Sequence, residues 1–206
     1  MQHYVLIRFN YEYLKKVNNP KRWLEERIEM YNTWCYPSLE KQTCKDFEIL
    51  VLCDKETPEK YLKKISGKLL FGTGSVSSLF AEYINKRNYN DWVITTRLDN
   101  DDLLKPDSIR KIQAKFCNKE MIIGGKNEIL IIGDGYYRDT TKSKQTPFLS
   151  LIEPPGNKKT VYYRPHTKMH KLYNCEAVNG YIGTHVHHGN NKGQYTSRHL
   201  GEKLPY

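Results

Sequence analysis

The feature that most constrains the fold is a regular alternation, over residues 1–118, of short apolar runs with longer stretches of helical periodicity. The apolar runs are YVLIRF (4–9), FEILVLCD (47–54), KLLF (68–71) and WVITT (92–96). Apolar residues recur at helical spacing in residues 20–35, 57–65, 75–86 and 106–117, the third of which begins with a capping serine, Ser75. Repeated strand–helix units predict an α/β fold with a mainly parallel central sheet flanked by helices.

The second half of the chain has a different pattern. Five stretches predict strands with few helices between them: MIIGG (121–125), EILIIGDGYYRD (128–139), FLSLIE (148–153), TVYYRP (160–165) and GYIGTHVHH (180–188). We therefore expect a mixed or antiparallel C-terminal part after about residue 120. We interpret residues 1–206 as a single domain, with halves at about 1–118 and 119–195 and a polar tail over about 190–206.

Charged groups follow three of the predicted strands. Arg8 ends the first, Asp54 ends the second, and the sequence DNDD (99–102) follows the strand that contains WVITT. The carboxyl ends of parallel strands meet at one edge of a sheet, where ligands of such folds bind. The sequence thus predicts a ligand site at this edge.

Three aspartates within four residues are unexpected in a chain of net charge +10. Placed after a buried strand, they repel one another and lose hydration unless a cation pairs with them. Helix capping can explain Asp102, and ion pairs with Arg97 and nearby lysines can explain the others. The alternative that we favour is a site for Mg²⁺ or Mn²⁺, held by one or two carboxylates together with phosphate oxygens of a substrate.

Composition narrows the class of protein. A hydrophobic content of 38% excludes wholesale disorder, and five scattered cysteines without C-x-x-C spacing argue against a disulfide framework or a zinc knuckle. The apolar run near the N-terminus is too short for a signal peptide or a membrane span, so we expect a cytoplasmic protein. The positive charge favours anionic partners, which include a membrane surface.

The sequence resembles the GT-A class of nucleotide-sugar glycosyltransferases, and more narrowly a rhamnosyltransferase family with bacterial and large-virus members. The matching stretches run in order along nearly the whole chain: VLIRFN (5–10), the segment from Pro37 to Gln42, FEILVLCDKETP (47–58), TRLDNDDLL (96–104), PFLSLIE (147–153), TVYYRPHTK (160–168) and HVHHGNN (185–191). The resemblance implies a GT-A (Rossmann-like) fold and a nucleotide-sugar donor.

The resemblance also implies roles for individual residues. The nucleotide-sugar site would comprise Arg8, Phe9, Asn10, Asp54, Arg97 and Asp99. Phe9 would cover the base, Asp54 would bind the ribose or base, and Arg97 would face the diphosphate or orient Asp99; core packing for Phe9 and helix capping for Asp54 are the alternatives.

For the metal, the resemblance implies Asp99 and Asp101 as ligands, with His188 and then His185 as ligands from the C-terminal part. Asp102 would position the sugar or support its neighbours. If the reaction inverts the configuration of the sugar, a carboxylate must act as general base. Glu153 is our first candidate, with Glu176 and Asp134 as rivals. Arg164 and His166 would touch the acceptor or a phosphate, or serve the structure.

The function that we expect is metal-dependent transfer of a sugar, with rhamnose as the first candidate, from a UDP- or dTDP-linked donor to a hydroxyl of a glycan or lipid-linked acceptor. A glucose or galactose donor is one alternative. A nucleotidyltransferase would also use aspartates and Mg²⁺, but VLIRFN lacks the glycine- and lysine-rich loop of that class. A non-catalytic basic module for nucleic acid or anionic membrane explains the charge but not the aspartates, so we expect no nucleic-acid partner.

Overall fold

The computed structural model of the chain describes residues 1–188 and 200–205. Within these residues, ten strands form one sheet. The strands are β1 (Gln2–Arg8), β2 (Glu48–Leu52), β3 (Lys68–Leu70), β4 (Val93–Asp99), β5 (Leu103–Leu104), β6 (Met121–Ile131), β7 (Gly135–Asp139), β8 (Ser150–Glu153), β9 (Cys175–His187) and β10 (Leu200–Lys203). The α-helices are α1 (Pro20–Met30), α2 (Tyr36–Glu40), α3 (Glu59–Leu62), α4 (Val76–Asn88), α5 (Ser108–Gln113) and α6 (His166–Met169).

The sheet confirms the predicted fold class. Its main path runs β10-β7-β6-β8-β4-β1-β2-β3, and β9 pairs with β5 and β6. Strands β4, β1, β2 and β3 are parallel to one another, whereas β8 lies antiparallel between β4 and β6. The first half of the chain therefore builds the parallel part, and the second half extends the same sheet with mixed strands.

Apolar side chains cover both faces of the parallel strands. Along β1, Val5 and Ile7 join the core beneath α1, α2 and α5, while Tyr4 and Leu6 join the core beneath α4. This two-sided burial explains why the predicted strands are almost continuously apolar. Helix α4 begins at the predicted cap, where the Ser75 side chain accepts a hydrogen bond from the Ser78 backbone N–H.

The structure departs from the sequence prediction at several places; for example, the predicted strand over 128–139 spans the end of β6, a turn and β7. The helix after β1 continues through a π-helical turn (Tyr31–Cys35) into α2, so that it ends at Glu40 rather than near residue 35. The stretch TVYYRP is not a strand, because Thr160 has a positive φ of 66° and nearby backbone N–H groups bond to side chains. Those of Lys159 and Thr160 donate to the carboxylate of Glu153, and that of Val161 donates to the Thr95 hydroxyl.

The C-terminal end of the chain is described only in part. Residues Leu200–Lys203 of the predicted polar tail form the edge strand β10 against β7, and residues 189–199 and 206 lie outside the described residues. In the part of the chain that is described, we find no helix with both the length and the apolar character needed to cross a bilayer.

Candidate active site

The carboxyl edge of the parallel strands brings the predicted groups together. Arg8 and Asp99 are register partners at the ends of β1 and β4, and Arg8 is also the partner of Leu52 at the end of β2. Two residues beyond β2, the backbone N–H of Asp54 donates to the Asn10 side chain at 2.9 Å. The loops after β1, β2 and β4 therefore converge on one edge of the sheet.

Phe9 and Asn10 have structural roles at this edge. Phe9 is 1% exposed and packs edge-to-face on Tyr31, with ring centroids 5.6 Å apart. The ring belongs to the core, which favours the core-packing alternative for Phe9 over contact with a nucleobase. Asn10 is fully buried; its amide N–H donates to the Thr57 hydroxyl at 2.7 Å, and its oxygen holds Asp54. Asn10 thus positions Asp54, which remains partly exposed.

An aromatic pair lies between Arg8, at the end of β1, and Arg27 of α1. Arg8 donates to the Tyr13 hydroxyl at 2.6 Å, and its guanidinium lies 5.0 Å from the centre of the Tyr13 ring. Tyr13 stacks on Trp23 of α1 at 5.6 Å with an interplanar angle of 27°. Arg27, one helical turn after Trp23, lies over the indole at 5.4 Å. Two stacked aromatic rings therefore lie between two guanidinium groups, from the end of β1 to α1.

Arg97 is paired with Asp99. Its Nη2 atom donates to both carboxylate oxygens of Asp99, at 3.1 and 3.0 Å, and its Nη1 atom lies 3.2 Å from Nδ1 of His166. Tyr162 lies beneath the guanidinium at 5.2 Å. Burial opposes the charge of Arg97, but the charge and hydrogen bond of Asp99 outweigh it and raise the pKa of the guanidinium.

His166 is held neutral in this cluster. Burial, and then the charge of Arg97, lower the pKa of His166 to about 4. Because the arginine N–H donates to Nδ1, the proton of the imidazole resides on Nε2, which makes His166 a hydrogen-bond donor at neutral pH. This placement brings a predicted acceptor- or phosphate-contacting residue next to Arg97.

Asp101 faces two cations or potential cations from distant parts of the chain. Its Oδ2 atom accepts from Nη1 of Arg27 at 2.5 Å and lies 3.1 Å from Nε2 of His188. Burial raises the pKa of this carboxyl group, but the hydrogen bond with His188 and the charge of Arg27 outweigh burial and lower the pKa to about 2. Asp101 is therefore ionised at neutral pH.

Asp102 is fully buried and has both oxygens occupied. Oδ1 accepts the backbone N–H of Val186 at 3.0 Å, and Oδ2 lies 3.0 Å from Nδ1 of His185. Burial raises the pKa of Asp102 to about 6 despite this histidine. Burial lowers the pKa of His185, but the charge of Asp102 outweighs it and raises that pKa to about 9. Of the two roles predicted for Asp102, these contacts favour the support of its neighbours, because the residue joins the turn after β4 to β9.

The carboxyl edge of the parallel strands supplies some of the ligand atoms that a divalent cation needs. Asp101 Oδ2 and His188 Nε2 converge, and a carboxylate oxygen with an imidazole nitrogen suits Mn²⁺, and less well Mg²⁺. Among residues 1–188 and 200–205, no group of three or more His, Cys, Asp or Glu side chains is arranged to hold a metal. Phosphate oxygens and water would complete the coordination. Asp99, the other predicted ligand, is instead paired with Arg97, and His185 with Asp102.

Glu153 lies away from this edge. It ends β8, which is antiparallel to β4, and its register partner is Val93 at the start of β4. Since Val93 lies six residues before Asp99, the two carboxylates are separated by roughly 20 Å along the strand direction. Glu153 is 2% exposed, and it accepts the backbone N–H groups of Lys159 and Thr160. This position and these partners argue against Glu153 as general base and favour a structural role, in which the carboxylate holds the loop at Lys159 and Thr160.

The rival carboxylates also have other partners. Glu176, near the start of β9, forms an ion pair with Lys115 at 3.3 Å. Asp134, in the turn between β6 and β7, accepts from the Tyr137 hydroxyl and pairs with Lys203 at 2.7 Å. Arg164 is exposed, with its guanidinium 4.6 Å from the centre of the Tyr163 ring.

Sequence reasoning missed Arg27, Tyr162 and the Tyr13–Trp23 pair. Arg27 and Trp23 share one face of α1 at a spacing of four residues, and this pattern is visible in the sequence. Their proximity to Asp101 is not visible, since Arg27 and Asp101 are 74 residues apart.

A comparison with known families matches residues 10–199 to the family described as "Putative rhamnosyl transferase". No curated protein sequence matches the chain. Among solved structures, S. aureus TarS is similar at 15% identity, with a TM-score of 0.51 over 90% of this chain and 37% of that chain.

Two further structures contain only TarS 1-349. One is 15% identical with a TM-score of 0.54, and the other, in complex with UDP, is 14% identical with a TM-score of 0.53. Each match covers 90% of this chain and 60% of that chain, so the present chain spans little more than half of the TarS fragment. Likeness at this level of identity establishes a shared fold.

Proposed function

The chain belongs to the rhamnosyl transferase family, and we propose that it is a metal-dependent glycosyltransferase. It would move a sugar, rhamnose in the first instance, from a nucleoside-diphosphate sugar to a hydroxyl of a glycan or lipid-linked acceptor. In this reaction the acceptor oxygen forms a bond to C1 of the sugar, and the bond from C1 to the diphosphate breaks with its electron pair remaining on the nucleoside diphosphate. The proton of the hydroxyl passes to the solvent.

The observation that carries the proposal is the arrangement of charges at the carboxyl edge of β1 and β4. Arg8, Arg97 and Arg27 lie around Asp99 and Asp101 at the place where α/β folds bind nucleotides. A leaving diphosphate gains negative charge as the bond to C1 breaks. Guanidinium groups that are fixed in advance, as Arg97 is by Asp99, stabilise that charge without reorganisation.

Asp101 and His188 are the residues that would hold Mn²⁺ or Mg²⁺. When bound, the ion would supply a Lewis acid that offsets the charge of the leaving diphosphate. Asp54, held by Asn10, would accept a hydrogen bond from the base or ribose, and His166 would donate from Nε2 to a phosphate or sugar oxygen.

UDP is the nucleotide to test first. The reason is that TarS, which shares this fold, has been solved in complex with UDP. A dTDP-linked donor is the alternative, and glucose and galactose are the alternatives to rhamnose. We place the reaction in the cytoplasm, and the net charge of +10 would favour contact with an anionic membrane surface that carries a lipid-linked acceptor.

The test is calorimetric titration of UDP and dTDP into the protein, with and without Mn²⁺. We expect metal-dependent binding of one nucleotide, and its loss in Asp101→Asn. Asp107→Asn is a matched control, because Asp107 is a partly exposed aspartate that forms an ion pair with Lys111 of α5. Absence of nucleotide binding in the presence of metal would contradict the proposal. Release of UDP or dTDP from a panel of nucleotide sugars would then identify the donor.

A further inference from the structure

The candidate metal ligand Asp101 already has a counter-ion. Its Oδ2 atom lies 2.5 Å from Nη1 of Arg27, and the same oxygen faces His188. Only 13% of the Arg27 side chain and 11% of the Asp101 side chain are exposed, so that water screens this ion pair weakly. The oxygen that would bind a divalent cation is therefore shared with a guanidinium group of the protein.

Arg27 is held close to Asp101 by more than the ion pair. It lies on α1, whose N-terminus is capped by Asn19. Its guanidinium also stacks over Trp23, which packs on Tyr13. Because this stacking does not involve Asp101, the guanidinium has a second contact that would keep it beside the site after the ion pair is broken.

A guanidinium and a divalent cation repel one another when both contact a single carboxylate oxygen. In the free protein the charges of Arg27 and Asp101 neutralise each other. An incoming cation must therefore displace Arg27 from the carboxylate or lie close to its guanidinium group. A nucleotide diphosphate brings the negative charge that would allow both cations to remain. Asp99 differs, since its partner Arg97 comes from the same strand and contacts both of its oxygens.

We propose that Arg27 is an internal counter-ion that competes with the divalent cation for Asp101. The cation then binds the free protein weakly and binds tightly only together with the nucleotide diphosphate. This inference rests on the proposed function, which supplies the metal and the nucleotide, and it makes Arg27 the residue that decides whether the cation can bind without nucleotide.

The experiment measures the affinity of Mn²⁺ for the protein without nucleotide, by electron paramagnetic resonance of free Mn²⁺. We expect Arg27→Gln, which keeps much of the length of the side chain but removes its charge, to bind Mn²⁺ at least tenfold more tightly than the wild type. Arg27→Lys keeps a charge without the planar stacking geometry, and its affinity should stay within threefold of the wild type.

Arg22→Gln is the matched control. Arg22 lies on the same helix and pairs with Glu26, and its side chain is 77% exposed, so we expect its Mn²⁺ affinity to equal that of the wild type. Circular dichroism and the thermal midpoint of each variant would show that it folds. If Arg27→Gln binds Mn²⁺ no more tightly than the wild type, the competition is refuted.

A second titration separates this inference from the proposed function. UDP should strengthen Mn²⁺ binding in the wild type by a larger factor than in Arg27→Gln, because only the wild type has a pair to break. Metal-dependent UDP binding in the wild type, with unchanged Mn²⁺ affinity in Arg27→Gln, would overturn the role of Arg27 and leave the function standing. If the wild type binds neither nucleotide with metal present, both fail.

Discussion

The substitution Glu153→Gln tests whether Glu153 is a buried structural carboxylate or the general base of the reaction. Burial raises the pKa of Glu153 from its ordinary 4.5 to about 7, although the N–H groups of Lys159 and Thr160 and the charge of Lys158 act in the opposite direction. The folded protein therefore binds the proton more tightly than the unfolded chain does. The stability that this difference contributes is fully present below pH 4.5 and is lost as the pH rises through 7.

The magnitude follows from the two pKa values. Since one pKa unit is equivalent to about 1.4 kcal/mol, ionisation of Glu153 lowers the free energy of unfolding by about 3 kcal/mol between pH 4.5 and pH 8. A glutamine cannot ionise, and its oxygen can occupy the position of Oε1, which accepts from both Lys159 and Thr160. We expect the variant to match the wild type within about 1 kcal/mol at pH 5 and to be more stable by about 2–3 kcal/mol at pH 8.

The assay is urea denaturation of both proteins at pH 5 and pH 8. Glu176→Gln is the control, because Glu176 is 51% exposed and its substitution should leave the pH dependence as in the wild type. If the free energy of unfolding changes equally between pH 5 and pH 8 in Glu153→Gln and in the wild type, the raised pKa of Glu153 is refuted. Turnover provides a second criterion: a general base would lose about 10²-fold or more on this substitution, whereas we expect the rate to be retained.

Three other substitutions test the site and its supports. Asp102→Asn should lower the free energy of unfolding by about 3 kcal/mol in urea, because it unbalances a buried pair, whereas the partly exposed Asp107→Asn should cost less than about 1 kcal/mol. Asn10→Ala should lower the free energy of unfolding by about 2 kcal/mol and weaken UDP binding about tenfold by calorimetry, since it releases Asp54. Unchanged binding would show that Asp54 does not contact the nucleotide. Ser75→Ala should cost about 1 kcal/mol and leave UDP binding unchanged.

Much of the fold could be predicted because its strands and helices carry strong local patterns. The strands β1, β2 and β4 are apolar on both faces, and α4 has a capped amphipathic sequence. The prediction of a strand at TVYYRP is wrong because the backbone N–H groups of this stretch bond to the side chains of Glu153 and Thr95. Thr95 lies 66 residues before Val161, whose N–H it accepts. A local pattern of apolar and aromatic residues carries no information about such distant partners.

The site could be predicted only from the rule that ligands of such folds bind at the carboxyl ends of the parallel strands. That rule brought Arg8 and Asp99 to one edge, as their register shows. It could not decide which way a residue after a strand end points, and Phe9 turned into the core. Nor could it distinguish Asp101 from its neighbour Asp102, although one faces α1 and the other is buried against β9.

The pairing of the aspartates bears on why a strongly basic chain gathers acids at one edge. Each of them faces a different basic side chain: Arg97 for Asp99, Arg27 for Asp101 and His185 for Asp102. Near neutral pH these basic groups largely balance the acids before any ligand binds. A diphosphate that entered such a site would add negative charge beyond what the protein has balanced, and a divalent cation would restore the balance. For this reason we expect metal and nucleotide to bind together rather than in succession, and the affinity of Mn²⁺ for the free protein is the quantity that tests it.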